Sequence, residues 1–319
     1  MKKKIKIGLA LGSGGARGLA HIGVLKALKR EDIDFEVVAG TSFGALIGGM
    51  YAVNSDPDLM EQQMRDFILG HTFKQFQLDL IKLNYKEEKR AGIVTNVKEF
   101  LKLQYFLGIP YRTKAYTTTQ KLAELTDVFI NEMKIEEARI RFAAVATDLI
   151  KGQEVVLDKG NMREAVRASC AIPGIFPPMK DSDRLLVDGA WVNRVPVDTA
   201  IKLGAECVIA VNVSKRFIHK NKFMNGLDIL IRANDITSYI LSRDQLKRAD
   251  VIIEPEVGHF HWTEFGRFKE IIALGVESAE QNMQLIKNAI AQKKKLLVKK
   301  IFLMPLVNYM SRLEAKKIG

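Results

Sequence analysis

The stretch that most constrains this chain is Gly40-Thr41-Ser42-Phe43-Gly44, set between an apolar run, Phe35 to Ala39, that reads as a buried strand and a segment, Ala45 to Tyr51, that reads as a helix. A serine held between two glycines at a strand-to-helix turn implies a sharp bend. The bend leaves no room for a Cβ at Gly40 or Gly44 and lifts the serine oxygen above the sheet edge. Ser42 is therefore a candidate nucleophile. Taken alone, the same five residues also read as an ordinary helix start with Ser42 as its N-cap.

The first element has a related form. Ile5 to Leu11 reads as a strand and runs into Gly12-Ser13-Gly14-Gly15-Ala16-Arg17-Gly18, after which Leu19, Ile22, Leu25, Ala27 and Leu28 give a helical stripe up to Lys29. Strand, glycine loop and helix bring a nest of backbone N–H groups to a helix start, which suits an anion. A dinucleotide pyrophosphate would need a third glycine where Arg17 stands. The other anion that fits is the oxyanion of a tetrahedral acyl intermediate, and a serine turn only 28 residues after Gly14 favours it.

Leu185-Leu186-Val187 reads as a strand running out into Asp188-Gly189, so the Asp188 carboxylate is expected at the same sheet edge as Ser42. Asp-Gly is also a common turn signal, and a turn former is the plainer reading of Asp188 by itself. Beside Ser42 it becomes a base, which requires a partly desolvated site because an ordinary Asp titrates at about 3.9. A Ser-His-Asp triad stays open through His219, His259 or His261. His259-x-His261 has no third metal ligand at a suitable spacing, and no metal or cofactor is expected. His21, on the first helix, reads as structural.

Taken together, Gly14-Gly15-Ala16-Arg17-Gly18, Gly40-Thr41-Ser42-Phe43-Gly44 and Asp188-Gly189-Ala190 resemble, in order and context, the motifs of the patatin-like phospholipases. Leu19 to Leu25 and Ala168 to Pro178 add to the similarity, which is firm over residues 5 to 214. The resemblance implies a Ser42-Asp188 dyad and an oxyanion held by the backbone N–H groups of Gly14 and Gly15 with Phe43. Arg17 and Gly18 complete the loop. It implies a serine acyl hydrolase acting on a phospholipid or lysophospholipid ester. The alternatives are a lipid-binding or regulatory protein of the same fold with little turnover, a Ser-His-Asp esterase and a nucleotide-binding protein. Ser13 stands where many members carry glycine, and a left-handed backbone there would cost about 1 kcal/mol or more. Arg17 is expected to anchor the loop through an ion pair, with contact to a lipid phosphate as the other reading.

Downstream of Arg139, strands and helices alternate, predicting an α/β three-layer sandwich with a mostly parallel central sheet. Residues 67 to 129 hold 10 of the 25 aromatics, Phe73, Phe76, Phe100, Tyr105, Phe106 and Tyr111 among them. That excess predicts a helical cap over 67–138, either a lid or acyl-binding wall or an extra layer with its own core. The simplest division is one catalytic domain, 5–290, followed by a basic tail, 291–319.

The net charge of +12 is uneven: residues 293 to 319 carry eight Lys or Arg against Glu314, a net of +7 that leaves +5 for the other 292 residues. With Leu296 to Tyr309 apolar but too short and charged to span a bilayer, the tail suits an anionic membrane surface, or a helix with a solvated lysine face. No aromatic-and-basic stripe points to nucleic acid. Cys170 and Cys207 read as buried thiols. The N-terminal apolar run is broken by Lys6, by glycines and by Arg17, so no signal peptide is expected. The expectation is a cytoplasmic chain, peripheral at the inner membrane face if the tail binds there. Oligomeric state is not legible.

Overall fold

A computed structural model of the protein describes residues 4–71, 73, 115–214, 223 and 226–297. Among the described residues there are eight strands, β1 (Ile7–Leu11), β2 (Val37–Thr41), β3 (Arg141–Asp148), β4 (Gln153–Leu157), β5 (Met179–Asp181), β6 (Arg184–Asp188), β7 (Cys207–Val211) and β8 (Val251–Ile253). They form one sheet in the order β5-β6-β3-β2-β1-β7-β8, with β4 also on β3. The run from β3 to β8 is parallel, whereas β4, β5 and β6 pair antiparallel.

The parallel strands are continuous apolar runs because helices cover both faces. Alternate residues serve opposite layers. Leu9, Leu11, Val38, Phe142, Ile209 and Val211 join the larger core. That core is closed by α1 (Ala20–Arg30), α2 (Phe43–Asn54), α3 (Pro57–Leu69), α4 (Thr119–Thr126), α5 (Met162–Cys170) and α8 (Phe268–Gln281). Ala10, Val37, Ala39, Ala143 and Ala210 face the other way, under α6 (Val197–Lys202) and the end of α7 (Gly226–Leu246). Small residues on that face let its helical layer sit close. This is the three-layer α/β sandwich expected from the alternation.

The register places the site. β3 pairs with β2 through Arg141 to Val145 and with β6 through Ala146 to Asp148, while β4 occupies Ala144 to Asp148 on the opposite edge. β2 and β6 therefore share one edge of β3 and meet end to end. Thr41 stands opposite Val145 and Asp188 opposite Ala146. The residue after Thr41 is brought to Asp188 by consecutive positions of one strand. The sheet edge expected for Asp188 is reached by an antiparallel strand.

Among the described residues no helix is long and apolar enough to cross a membrane. At the expected domain end the backbone stays helical over 283–297, with Lys293 Nζ 2.7 Å from Asp250 Oδ1, so 291–297 continue the last helix. Residues 298–319, most of the expected tail, lie outside the described residues.

Candidate active site

Ser42 has φ 56° and ψ −126°, a conformation that costs an L-residue about 1–3 kcal/mol and persists only where its surroundings enforce it. They do so here at three points. The Ser42 carbonyl accepts from Ala45 N (2.8 Å) and Leu46 N (3.1 Å), which starts α2 at Phe43, and it accepts Cys170 Sγ at 3.2 Å. The Ser42 N–H donates to Ser169 Oγ (2.9 Å), and that hydroxyl donates to Val145 O (2.6 Å). A Cβ on Gly44 would stand 2.3 Å from Leu11 O, so only glycine lets α2 start this close to β1. Gly40 lies beneath the same first turn.

Ser169 was not singled out from the sequence, since a serine near the end of a helix carries no distinguishing local signal. Its side chain is fully buried and occupied at both hydrogen-bonding ends. Ser169→Ala is expected to destabilise the fold by about 1–3 kcal/mol by stranding the Ser42 N–H and the Val145 carbonyl. Urea denaturation measures this; an unchanged midpoint would mean that the turn stands without that bridge.

Asp188 is held from its own backbone outward. Its N–H donates to Ala171 O (2.9 Å), its carbonyl accepts Thr147 Oγ1 (2.9 Å), and Oδ1 accepts the Ala190 N–H at 2.8 Å. Gly189 follows, against the Val145 carbonyl. The Ser42 hydroxyl neighbours the Asp188 carboxyl and favours its ionised form. Burial pushes that carboxyl up to about 6, against the neighbouring Ser42 hydroxyl, the hydrogen bond from Ala190 and the charge of Arg194. The group is thus ionised at neutral pH yet more basic than an ordinary Asp. The same burial, with the Asp188 charge added, raises the Cys170 thiol well above its usual range, so it is a protonated neighbour.

The glycine loop is pinned along its length. Gly12 N donates to Val211 O (3.0 Å), Ser13 N to Arg194 O (2.9 Å) and Ala16 N to Trp262 O (2.7 Å). His21 Nε2 lies 2.8 Å from Gly12 O, and burial lowers this imidazole to about 4 against that hydrogen bond. A carbonyl can only accept, so His21 is neutral with its proton on Nε2, a structural strut as expected. Gly15 has φ +57°, which glycine adopts freely. Among the described residues the N–H groups of Gly14, Gly15 and Phe43 have no hydrogen-bond acceptor. Phe43 begins α2, whose positive end adds to them. Gly18 sits against the Phe43 ring.

Ser13 does not take a left-handed backbone angle, so the cost such an angle would bring does not arise. One expectation is corrected. Arg17 anchors the loop, but through a hydrogen bond from Nε to Gly14 O (3.2 Å), with no ion pair to it among the described residues. Burial and the charge of Arg194 lower its guanidinium to about 10, with Asp235 opposing.

An apolar cleft of about 100 Å³ opens beside Ser42, with Gly15 and Cys170 also on its wall. Five rings run along it in sequence: Phe43 to Phe265 at 5.6 Å between centroids, Phe265 to Phe73 at 5.0 Å, Phe73 to Phe67 at 5.3 Å, and Phe67 to Phe129 at 4.9 Å. The described part of the aromatic-rich region thus belongs to the main core and walls the cleft, instead of forming a core of its own. Phe76, Phe100, Tyr105, Phe106 and Tyr111 lie outside the described residues, as does His219. His259 and His261 are exposed, and His261 Nδ1 is 2.7 Å from Thr263 Oγ1. Their loop reaches the site through Trp262 and Phe265.

The sequence model described as Patatin-like phospholipase matches residues 9–201. Among curated proteins, the chain is 26% identical over 307 residues to Lysophospholipase nte1 of Aspergillus fumigatus, covering 88% of this chain and 18% of that protein. It is 29% identical over 298 residues to Patatin-like phospholipase domain-containing protein ZK370.4 of Caenorhabditis elegans, covering 85% of this chain and 20% of that one. The chain therefore spans about a fifth of the length of these relatives. Among solved structures, VipD from Legionella pneumophila aligns with a TM-score of 0.42 and 14% identity over 90% of this chain and 67% of that one.

Proposed function

The chain belongs to the patatin-like phospholipase family, and from that premise we propose that it is a serine acyl hydrolase that cleaves carboxylic esters of phospholipids or lysophospholipids through Ser42 and Asp188. The observation that carries this reading is the placement of Ser42 beside a buried carboxyl at about 6, at the wall of an apolar cleft. Exposed turn serines have neither feature.

In this mechanism Asp188 accepts the Ser42 proton as Oγ attacks the ester carbonyl. The oxyanion forms toward the N–H groups of Gly14 and Gly15 and the start of α2. Because those donors are already held in place, little reorganisation opposes charge development. Collapse expels the alcohol, which takes the proton from Asp188. A water then gives its proton to Asp188 and attacks the acyl-enzyme, and the departing Ser42 oxygen regains the proton as the fatty acid leaves. The acyl chain lies along the Phe43-Phe265-Phe73 rings.

The test is hydrolysis of a short-chain p-nitrophenyl ester and of a lysophospholipid, with fluorophosphonate labelling alongside. Wild type is expected to turn over both substrates and to be labelled at Ser42. Ser42→Ala is expected to lose labelling and at least about 10³-fold in kcat. His259→Ala with His261→Ala is expected to keep both activities. Loss in the histidine variant would replace the dyad with a triad, and an inert, unlabelled wild type would remove the hydrolase reading.

A further inference from the structure

Between Asp188 and α6 lies a short segment, Val192 to Val195, to which no motif assigns a role. Three successive carbonyls of this segment are taken by three different parts of the molecule. Val192 O accepts Gln245 Nε2 from α7 at 3.0 Å. Asn193 O accepts the buried Thr41 Oγ1, one residue before the nucleophile, at 2.9 Å. Arg194 O accepts the Ser13 N–H of the glycine loop at 2.9 Å. At its start the segment is tied to the Asp188 turn, through Val192 N (3.1 Å) and Asn193 N (2.8 Å) donating to Gly189 O.

The nucleophile turn, the oxyanion loop and the base therefore hang on one strut of four residues. The strut is latched by one side chain. Gln245 Oε1 accepts both the Arg194 N–H (2.9 Å) and the Val195 N–H (3.1 Å), while its Nε2 holds Val192 O. A primary amide suits this task because it presents an acceptor and a donor side by side, matching two N–H groups and a C=O of one bent backbone. Ser238, two turns earlier on α7, accepts Arg194 Nη1 at 3.2 Å.

We propose that Gln245 is a positioning residue for catalysis: by latching the 192–195 strut it sets the oxyanion loop and the nucleophile turn in register with Asp188. It touches no reacting atom and acts through the strut. The inference rests on the Ser42 hydrolase reading. Its physical basis is that reacting groups tolerate little displacement, a shift of about 1 Å costing up to about 100-fold in rate.

The experiment compares wild type, Gln245→Leu and Gln245→Glu in steady-state hydrolysis of the p-nitrophenyl ester, in the rate of fluorophosphonate labelling, and in thermal unfolding. Gln245→Leu removes all three latch bonds. It is expected to lower kcat and the labelling rate by about 10- to 100-fold with KM within about two-fold. Gln245→Glu keeps an acceptor for the two N–H groups and is expected to restore part of that loss. A folded Gln245→Leu protein with wild-type kcat, whatever its melting temperature, would overturn the proposal and leave Gln245 a purely structural residue. If Gln245→Leu does not fold, Gln245→Glu decides: lowered kcat at unchanged KM supports the latch, and wild-type kcat overturns it. A wild type that is neither active nor labelled would remove the hydrolase reading and this inference with it. Activity in wild type together with indifference at Gln245 would remove this inference alone.

Discussion

Asp188→Asn is expected to lower kcat by about 10³- to 10⁴-fold and, at neutral pH, to make the folded protein more stable. Both effects come from the same burial. Asp188 is 3% exposed, and desolvation raises its carboxyl from 3.8 to about 6. Its folded value lies above its unfolded one, so the native state binds the proton more tightly. Stability therefore falls as pH rises between the two values, and the ionisation penalty is complete above about 6, at about 3 kcal/mol. An amide escapes that penalty. It keeps its oxygen on the Ala190 N–H and turns its amino group toward Ser42; the attraction of Arg194 that it forgoes is already counted in the value of about 6, so the expected gain is about the full figure. Thermal unfolding checks the sign: the variant should melt higher than wild type at about pH 8, with the difference gone near pH 3.5, where both side chains are neutral. A lower melting temperature at the higher pH would mean that burial does not hold this carboxyl up. In wild type, kcat/KM should fall about tenfold per pH unit below about 6 and level off above it.

Gly44→Ala is expected to cost at least about 3 kcal/mol or to prevent folding. The added methyl would stand 2.3 Å from Leu11 O and 2.7 Å from Gly12 O. Neither atom can give way. Leu11 is paired in the sheet with both Gly40 and Val211, and Gly12 N is bonded to Val211 O at 3.0 Å. α2 would have to move, taking the Ser42 turn with it. Gly266→Ala is the control, because no heavy atom lies within 4 Å of the position its Cβ would take; it should change stability by less than about 0.5 kcal/mol. Urea denaturation of both variants separates the cases, and a Gly44→Ala protein within about 1 kcal/mol of wild type would show that α2 can slide without cost.

Local backbone demands are what made the site legible. At Gly44 and Gly15 the chain needs a close approach or a positive φ that other residues meet poorly, so the motif is a direct imprint of geometry on composition. The apolar runs of β1, β2 and β7 are imprinted in the same way by burial on both faces. Helix starts were less sharp: α2 begins at Phe43, two residues before the apolar segment suggests, because the Ser42 carbonyl already accepts two helical hydrogen bonds. Arg17 carries the sign of a charge but not its partner, and a carbonyl three residues away turned out to hold it.

By itself the sequence determined the sandwich, the strand-loop-helix form of both glycine motifs and the candidate pair Ser42 and Asp188, since each follows from short-range pattern and residue chemistry. Tertiary structure alone decided how these parts meet. That β6 runs antiparallel and abuts β2 on one edge of β3 depends on pairing across more than a hundred residues. The rise of Asp188 to about 6, the clasp of Ser169 and the latch of Gln245 depend on neighbours from distant segments. Such contacts leave no periodicity in the chain, because a single serine or glutamine is chemically ordinary until the fold brings unpaired backbone groups to it.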